Sequence, residues 1–253
     1  YLGETERAAR EYLEGHIPGA VYVDLDRDLS SEVIPGKTGR HPLPDSQIFA
    51  DRLSTWGIDD EVQVVVYDNE GGGLAGRLWW LLRWLGHKNV AVLDGDWNAW
   101  NNGNYPVEIG EVKNNTKVFM AVEHPEYLVD LNYVDEIRLD PDYLLLDARS
   151  AERYWGLKET VDIKAGHIPG AVTAPFSENL NKNGFFLTPA QLKERFQNLL
   201  DGIPAENVVV YCGSGVTAVH NIIAMVIAGY SMPKLYPGSW SEWSLDPDRP
   251  IAP

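Results

Sequence analysis

The sequence predicts an α/β protein of two tandem domains, each a parallel sheet flanked by helices. Three observations carry that prediction. A seven-residue stretch occurs twice, two further segment pairs match in the same order, and each half alternates short apolar runs with helical ones. The stretch Gly15-His16-Ile17-Pro18-Gly19-Ala20-Val21 returns unchanged as Gly166-His167-Ile168-Pro169-Gly170-Ala171-Val172. Val64-Val65-Val66-Tyr67-Asp68 is answered by Val208-Val209-Val210-Tyr211-Cys212, and Gly95-Asp96-Trp97-Asn98-Ala99-Trp100 by Gly238-Ser239-Trp240-Ser241-Glu242-Trp243. The offsets are 151, 144 and 143 residues. A period this long means duplicated domains, since solenoid repeats run to about 20–50 residues. The polar stretch around Asn114-Asn115 reads as a linker, which gives domains over 1–107 and 125–253 joined by 108–124.

Leu144-Leu145-Leu146 and Val208-Val209-Val210 have the composition of strands covered on both faces of a parallel sheet. Leu74 to Leu85 and Ala218 to Ala228 follow glycine-rich turns and read as helices. In such sheets ligands sit beyond the carboxyl ends of the strands, where Asp68 and Cys212 stand. The strand at Tyr143 to Asp147 well precedes its His-Ile-Pro-Gly motif. Pairing Tyr1-Leu2-Gly3 with Tyr154-Trp155-Gly156 puts the matching first-half strand before residue 1, so the first strand of the N-terminal domain is expected to be missing.

The 253 residues, 44% of them hydrophobic, suffice for two modest cores. With 21 basic and 37 acidic residues the net charge is −16, which argues against nucleic-acid partners. No apolar run is long enough to span a membrane, and the first residues do not read as a signal peptide. A single cysteine cannot form an intrachain disulfide, which fits a reducing, cytoplasmic setting.

Cys212 ends an apolar strand and opens Cys212-Gly213-Ser214-Gly215-Val216-Thr217, which runs into a helical pattern. Glycines at the second and fourth positions let the backbone curl so that its N–H groups turn inward around the sulfur. The helix that follows adds its positive end. Both effects favour the thiolate, the nucleophilic form. The competing reading of a lone cysteine is a buried structural residue. Phosphatase chemistry is disfavoured because the arginine that ends a Cys-x5-Arg loop is replaced by Ala218. A cysteine hydrolase needs a histidine base, and His41 keeps that option open.

At these residues the chain resembles the tandem-domain rhodanese family, which includes thiosulfate and 3-mercaptopyruvate sulfurtransferases. The likeness covers nearly the whole chain. It implies a non-catalytic N-terminal domain, with Asp68 in the cysteine's place, and a catalytic C-terminal one, with substrate entering between them. It also implies a ping-pong sulfur transfer through a Cys212 persulfide to cyanide, a thiol or thioredoxin, with no metal or organic cofactor. Gly213, Gly215, Val216 and Thr217 would line the substrate. A serine–histidine–aspartate set of the mercaptopyruvate type maps to Ser214, His41 and Asp26. Of two arginines expected to hold that donor's carboxylate, only Arg153 is matched. The second falls at Thr160, with Lys158 the nearest cation, and this tilts the reading slightly toward thiosulfate as donor. A non-catalytic persulfide carrier and a fragment with a dead site are the competing readings.

His16 and His167 recur in both halves and therefore read as turn anchors. His87, His124 and His220 lack metal-site spacing. Arg153 could be a surface cation and Asp26 a turn residue. Trp240 and Trp243 are expected to pack the wall of the site, with Ser239 lending a hydrogen bond.

Overall fold

The structure, a computed structural model, describes residues 4–253. It divides into two compact units. The first comprises Tyr1–Ser31, Leu43–His124 and Lys182–Phe185, the second Glu32–Pro42, Pro125–Asn181 and Phe186–Pro253.

Unit 1 runs α1 (Thr5–Glu14), α2 (Leu25–Asp28), α3 (Ser46–Thr55), β1 (Val64–Val66), α4 (Ala75–Trp84), β2 (Val90–Val92) and α5 (Asp96–Asn102). Asp45 starts α3 by accepting hydrogen bonds from the Gln47 and Ile48 amides, and the helix buries Phe49, Ala50 and Leu53. α4 is apolar almost all round and buries Trp79, Trp80, Leu81, Leu82 and Trp84. It crosses over between β1 and β2, which pair in parallel with Val64 opposite Val90 and Val66 opposite Val92.

Unit 2 contains α6 (Leu131–Ile137), β3 (Leu144–Asp147), α7 (Ala151–Tyr154), β4 (Val172–Thr173), α8 (Pro189–Leu200), β5 (Val208–Tyr211), α9 (Ala218–Ile227), β6 (Lys234–Leu235) and α10 (Ser239–Trp243). Its four strands are parallel, in the order β4-β3-β5-β6. Every residue of β3 and β5 is buried, as expected of strands covered on both faces. Thr188 and Gln191 close a capping box at the start of α8, with Pro189 in its first turn. The core joins Val134, Leu145, Ile168, Val209, Tyr211, Trp240 and Trp243. The chain leaves β3 toward β4 on one side and later returns to β5 on the other. The carboxyl ends of β3 and β5 therefore flank a topological switch point.

The repeat is visible bond by bond. His16 stacks on Tyr12 at 4.1 Å, its Nδ1 donating to the Tyr12 carbonyl at 2.7 Å. His167 stacks on Tyr154 at 3.7 Å and makes the same bond at 2.9 Å. The Ile17 amide donates to the Tyr67 hydroxyl, and the Ile168 amide to that of Tyr211. Both histidines are thus built into turns. Tyr12, not Tyr1, is therefore the equivalent of Tyr154, which corrects the repeat alignment drawn from the sequence; Tyr1-Leu2-Gly3 lie outside the described residues. Between tyrosine and histidine, unit 2 carries nine residues more than unit 1.

In unit 2, β3 fills the space between β4 and β5. In unit 1, Val21–Val23 and β1 instead line a groove of about 390 Å³, and among the described residues no strand occupies it.

Candidate active site

Cys212 follows β5 directly and is 2% exposed. Its backbone amide donates to Ser239 Oγ at 3.1 Å, and that hydroxyl donates to the Tyr236 carbonyl at 2.9 Å. Ser239 holds a left-handed backbone, φ 55°, a conformation that costs a non-glycine residue about 1 kcal/mol or more. The strain places its hydroxyl under the cysteine. The Trp240 and Ser241 amides, at the start of α10, bond the Cys212 and Gly213 carbonyls at 3.0 and 2.9 Å. The loop carbonyls are thereby drawn toward α10.

Geometry requires a glycine at 215 and leaves little room for a side chain at 213. Gly215 has φ 73°, and a Cβ there would lie 2.4 Å from the Pro237 carbonyl oxygen. A Cβ on Gly213 would lie 2.9 Å from Arg40 Nη2 and 3.5 Å from Arg153 Nη1. Two guanidiniums therefore rest against the loop backbone beside Cys212. Burial, then Arg153, lowers the Arg40 pKa, while the cysteine and Glu159 pull it back up. Val216 is 2% exposed, and Thr217 precedes the first residue of α9.

Ser214 is 4% exposed and His41 8%, with His41 Nδ1 2.7 Å from Ser214 Oγ. Their meeting depends on the segment Glu32–Pro42, which packs with unit 2. Gly39 lets that segment approach, since a Cβ there would meet the Gly238 carbonyl at 2.5 Å. The Arg40 amide then donates to Ser241 Oγ at 3.1 Å. Of the residues read from the sequence, the fold brings together Cys212, Ser214, His41, Arg153, Gly213 and Gly215. Asp26 lies in α2 of unit 1, where Asp24 accepts its amide.

Behind the loop the acids and bases alternate. Arg149 makes a buried fork with Asp147, at 3.1 and 2.6 Å, and its Nη2 also donates to the Gly166 carbonyl. Burial would lower the Arg149 pKa, but Asp147, with Tyr211 and Glu159, outweighs it and the pKa rises. Arg153 donates to both oxygens of Glu159, at 3.0 and 3.1 Å, and to Asp162 Oδ2 at 2.6 Å. Arg40 bonds the other oxygen, Asp162 Oδ1. Sequence reasoning missed Arg40, Glu159 and Asp162. The position expected for a second arginine, Thr160, is exposed, as is Lys158. Arg40 comes instead from a distant segment, and its only signal in the sequence is its place beside His41.

Unit 1 displays the same kind of loop occupied by an anion. The Asp68 carboxylate accepts from the amides of Glu70, Gly72, Leu74 and Ala75 at 2.8–2.9 Å. A strand end, a glycine-rich turn and a helix start thus converge four N–H groups on one negative side chain.

Comparison with known proteins agrees with this architecture. The family model described as the rhodanese-like domain matches twice, over residues 7–103 and 130–246. The chain belongs to that family and carries its domain in tandem. Its relatives there are named as sulfurtransferases. A Pseudomonas aeruginosa protein named "Probable 3-mercaptopyruvate sulfurtransferase" is 46% identical over 252 residues, 99% of this chain and 89% of that protein. The thiosulfate sulfurtransferase of Mus musculus is 34% identical over 96% of this chain and 82% of its own. The crystal structure of SseA from Escherichia coli, a 3-mercaptopyruvate sulfotransferase, superposes with a TM-score of 0.81 at 33% identity, covering 95% of this chain and 89% of that one.

Proposed function

We propose that this sulfurtransferase works through a Cys212 persulfide and takes its sulfur from a carboxylate donor of the 3-mercaptopyruvate type. The observation that carries the reading is the pair of guanidiniums, Arg40 and Arg153, set against the cysteine loop beside the buried Ser214–His41 hydrogen bond. The slight tilt toward thiosulfate rested on a missing second arginine, and Arg40 supplies one. The donor named for the Pseudomonas relative supports the same choice.

In the first half-reaction the Cys212 thiolate attacks the donor's sulfur. An S–S bond forms, the donor's C–S bond breaks, and its electron pair passes into the enolate of pyruvate. The thiol proton of the donor ends on that carbon, leaving pyruvate and the persulfide anion. Ser214, with His41 behind it, donates to the enolate oxygen as charge develops there. Asp26 is assigned as third member of this set on the family resemblance. In the second half-reaction a thiolate, cyanide or a thioredoxin-type dithiol attacks the outer sulfur and returns the Cys212 thiolate. Gly213, Gly215, Val216 and Thr217 frame the persulfide with their backbone, as the amides around Asp68 frame its carboxylate. A thiolate nucleophile suits a reducing compartment such as the cytoplasm, and no helix among the described residues is long and apolar enough to cross a membrane.

Steady-state rates with each donor, using cyanide and a dithiol as acceptors, test the reading. A kcat/KM for 3-mercaptopyruvate at least about tenfold above that for thiosulfate is expected, one decade being roughly 1.4 kcal/mol. Equal or reversed efficiencies rule out the donor assignment. Stable persulfide without turnover would point to a carrier.

A further inference from the structure

We propose that Asp162 is a built-in stand-in for the donor's carboxylate, holding Arg40 and Arg153 until a donor displaces it. This deepens the function proposed above and rests on it. The Asp162 side chain is 2% exposed, and its two oxygens each take one guanidinium, from Arg40 and from Arg153. Those guanidiniums are the ones that lie against Gly213. The structure thus displays a carboxylate bridging two arginines beside Cys212, the arrangement a carboxylate donor requires.

The segment that carries Asp162 is suited to release it. Residues 157–164 contain no helix or strand and belong to the nine-residue excess of unit 2 over unit 1. The excess closes at a pinched base: Gly156 and Gly166 both have positive φ, and a Cβ on Gly156 would sit 3.2 Å from the Gly166 nitrogen. A compact loop with its ends together can swing on such glycines. Its apolar side chains do not hold it down, since Leu157, Val161 and Ile163 are 78%, 52% and 78% exposed. Inward anchoring comes from Glu159 and Asp162, and at the far end from Lys164, whose carbonyl accepts from Trp240 Nε1 at 2.9 Å.

The charge balance explains what the vacated site selects. Arg40, Arg149 and Arg153 face Asp147, Glu159 and Asp162, so these six side chains sum to zero before the thiolate is counted. A singly charged carboxylate can replace Asp162 one for one. Thiosulfate, a dianion, would bring an excess negative charge beside the thiolate. Once Asp162 is displaced the remaining five side chains sum to +1, which suits a singly charged carboxylate better than a dianion.

The test compares wild-type enzyme with Asp162→Asn and with the conservative Asp162→Glu. Asp162→Asn should lower KM for 3-mercaptopyruvate about three- to tenfold, as removal of a competing closed state does. It should raise kcat/KM for thiosulfate by a similar factor, since the closed state excludes either donor alike. Asp162→Glu should restore the wild-type KM. A KM that rises for both donors shows that Asp162 only positions the arginines, and overturns the proposal; so does an unchanged KM. A second measurement avoids substitution at 162. In Cys212→Ser protein, pyruvate at saturation should speed amide exchange in residues 157–164, and unchanged or slower exchange contradicts displacement. Wild-type enzyme that fails to turn over 3-mercaptopyruvate sinks the parent reading. Normal turnover with a raised KM in Asp162→Asn sinks the stand-in alone.

Discussion

At the scale of single residues, the cysteine has a polar setting despite its burial. Ser239 Oγ takes its amide, and the guanidiniums of Arg40 and Arg153 lie against the next residue. A structural cysteine would be packed among apolar atoms, where the thiolate is unfavourable. Ser214 is the residue whose removal should separate the two donors. Ser214→Ala is expected to lower kcat for 3-mercaptopyruvate by roughly 10²-fold, the cost of losing one donor to a developing oxyanion. Thiosulfate turnover, which forms no enolate, should change far less. Equal losses with both donors would remove Ser214 from the proposed role. Cys212 and Ser214 were legible in the sequence because the loop chemistry is contiguous. Arg40 was not, because 173 positions of chain separate Gly213 from it and only folding makes them neighbours.

At the scale of elements, the cysteine loop is shaped from outside by α10 and by Gly215, whose place leaves no room for a Cβ. Gly215→Ala should destabilise unit 2 by about 1–3 kcal/mol, since its Cβ would meet the Pro237 carbonyl and its φ is left-handed. Denaturant unfolding measures this, and a loss under about 0.5 kcal/mol would contradict the close packing described. Glu242 of α10 carries a pH-dependent cost. Burial raises its pKa, while the Tyr236 hydroxyl, donating at 2.8 Å, and Arg249 pull it back. Because the folded state holds this proton more tightly than the unfolded chain does, the stability it lends is complete below the unfolded value. That stability is lost as pH rises through the folded value. Glu242→Gln does not titrate, so its Tm should gain on the wild type as pH rises above the unfolded glutamate value of about 4.3. A constant gap would mean that the folded state does not perturb this carboxyl. The helices and buried strands were readable because their periodicity and apolar runs are local. The loop at 157–164 was not, since an acid buried against arginines looks in sequence like any surface acid.

Across the whole molecule, two copies of one design differ in the strand pairing of their described residues. In unit 2, β5 lies between β3 and β6 with all four residues buried, whereas among the described residues β1 of unit 1 pairs with β2 alone and leaves Val65 52% exposed. Amide exchange at Val65 should therefore run at least about 10²-fold faster than at Val209, whose strand is paired on both sides. Comparable protection at the two positions would show that the free edge of β1 is covered. The duplication itself was plain from three matched segments. The place where the copies diverge, with Tyr12 rather than Tyr1 answering Tyr154, emerged only from the stacking of His16 and His167. The net charge of −16 makes the arginine cluster the more conspicuous, since an anionic donor meets favourable charge only locally.

The most direct test of a sulfur-bearing Cys212 is mass spectrometry of the protein after exposure to 3-mercaptopyruvate without an acceptor. The wild type should gain the mass of one sulfur atom on the peptide containing Cys212 and lose it when cyanide is added, and Cys212→Ser should gain nothing. An unmodified wild type, or a sulfur retained by the serine variant, would contradict the account.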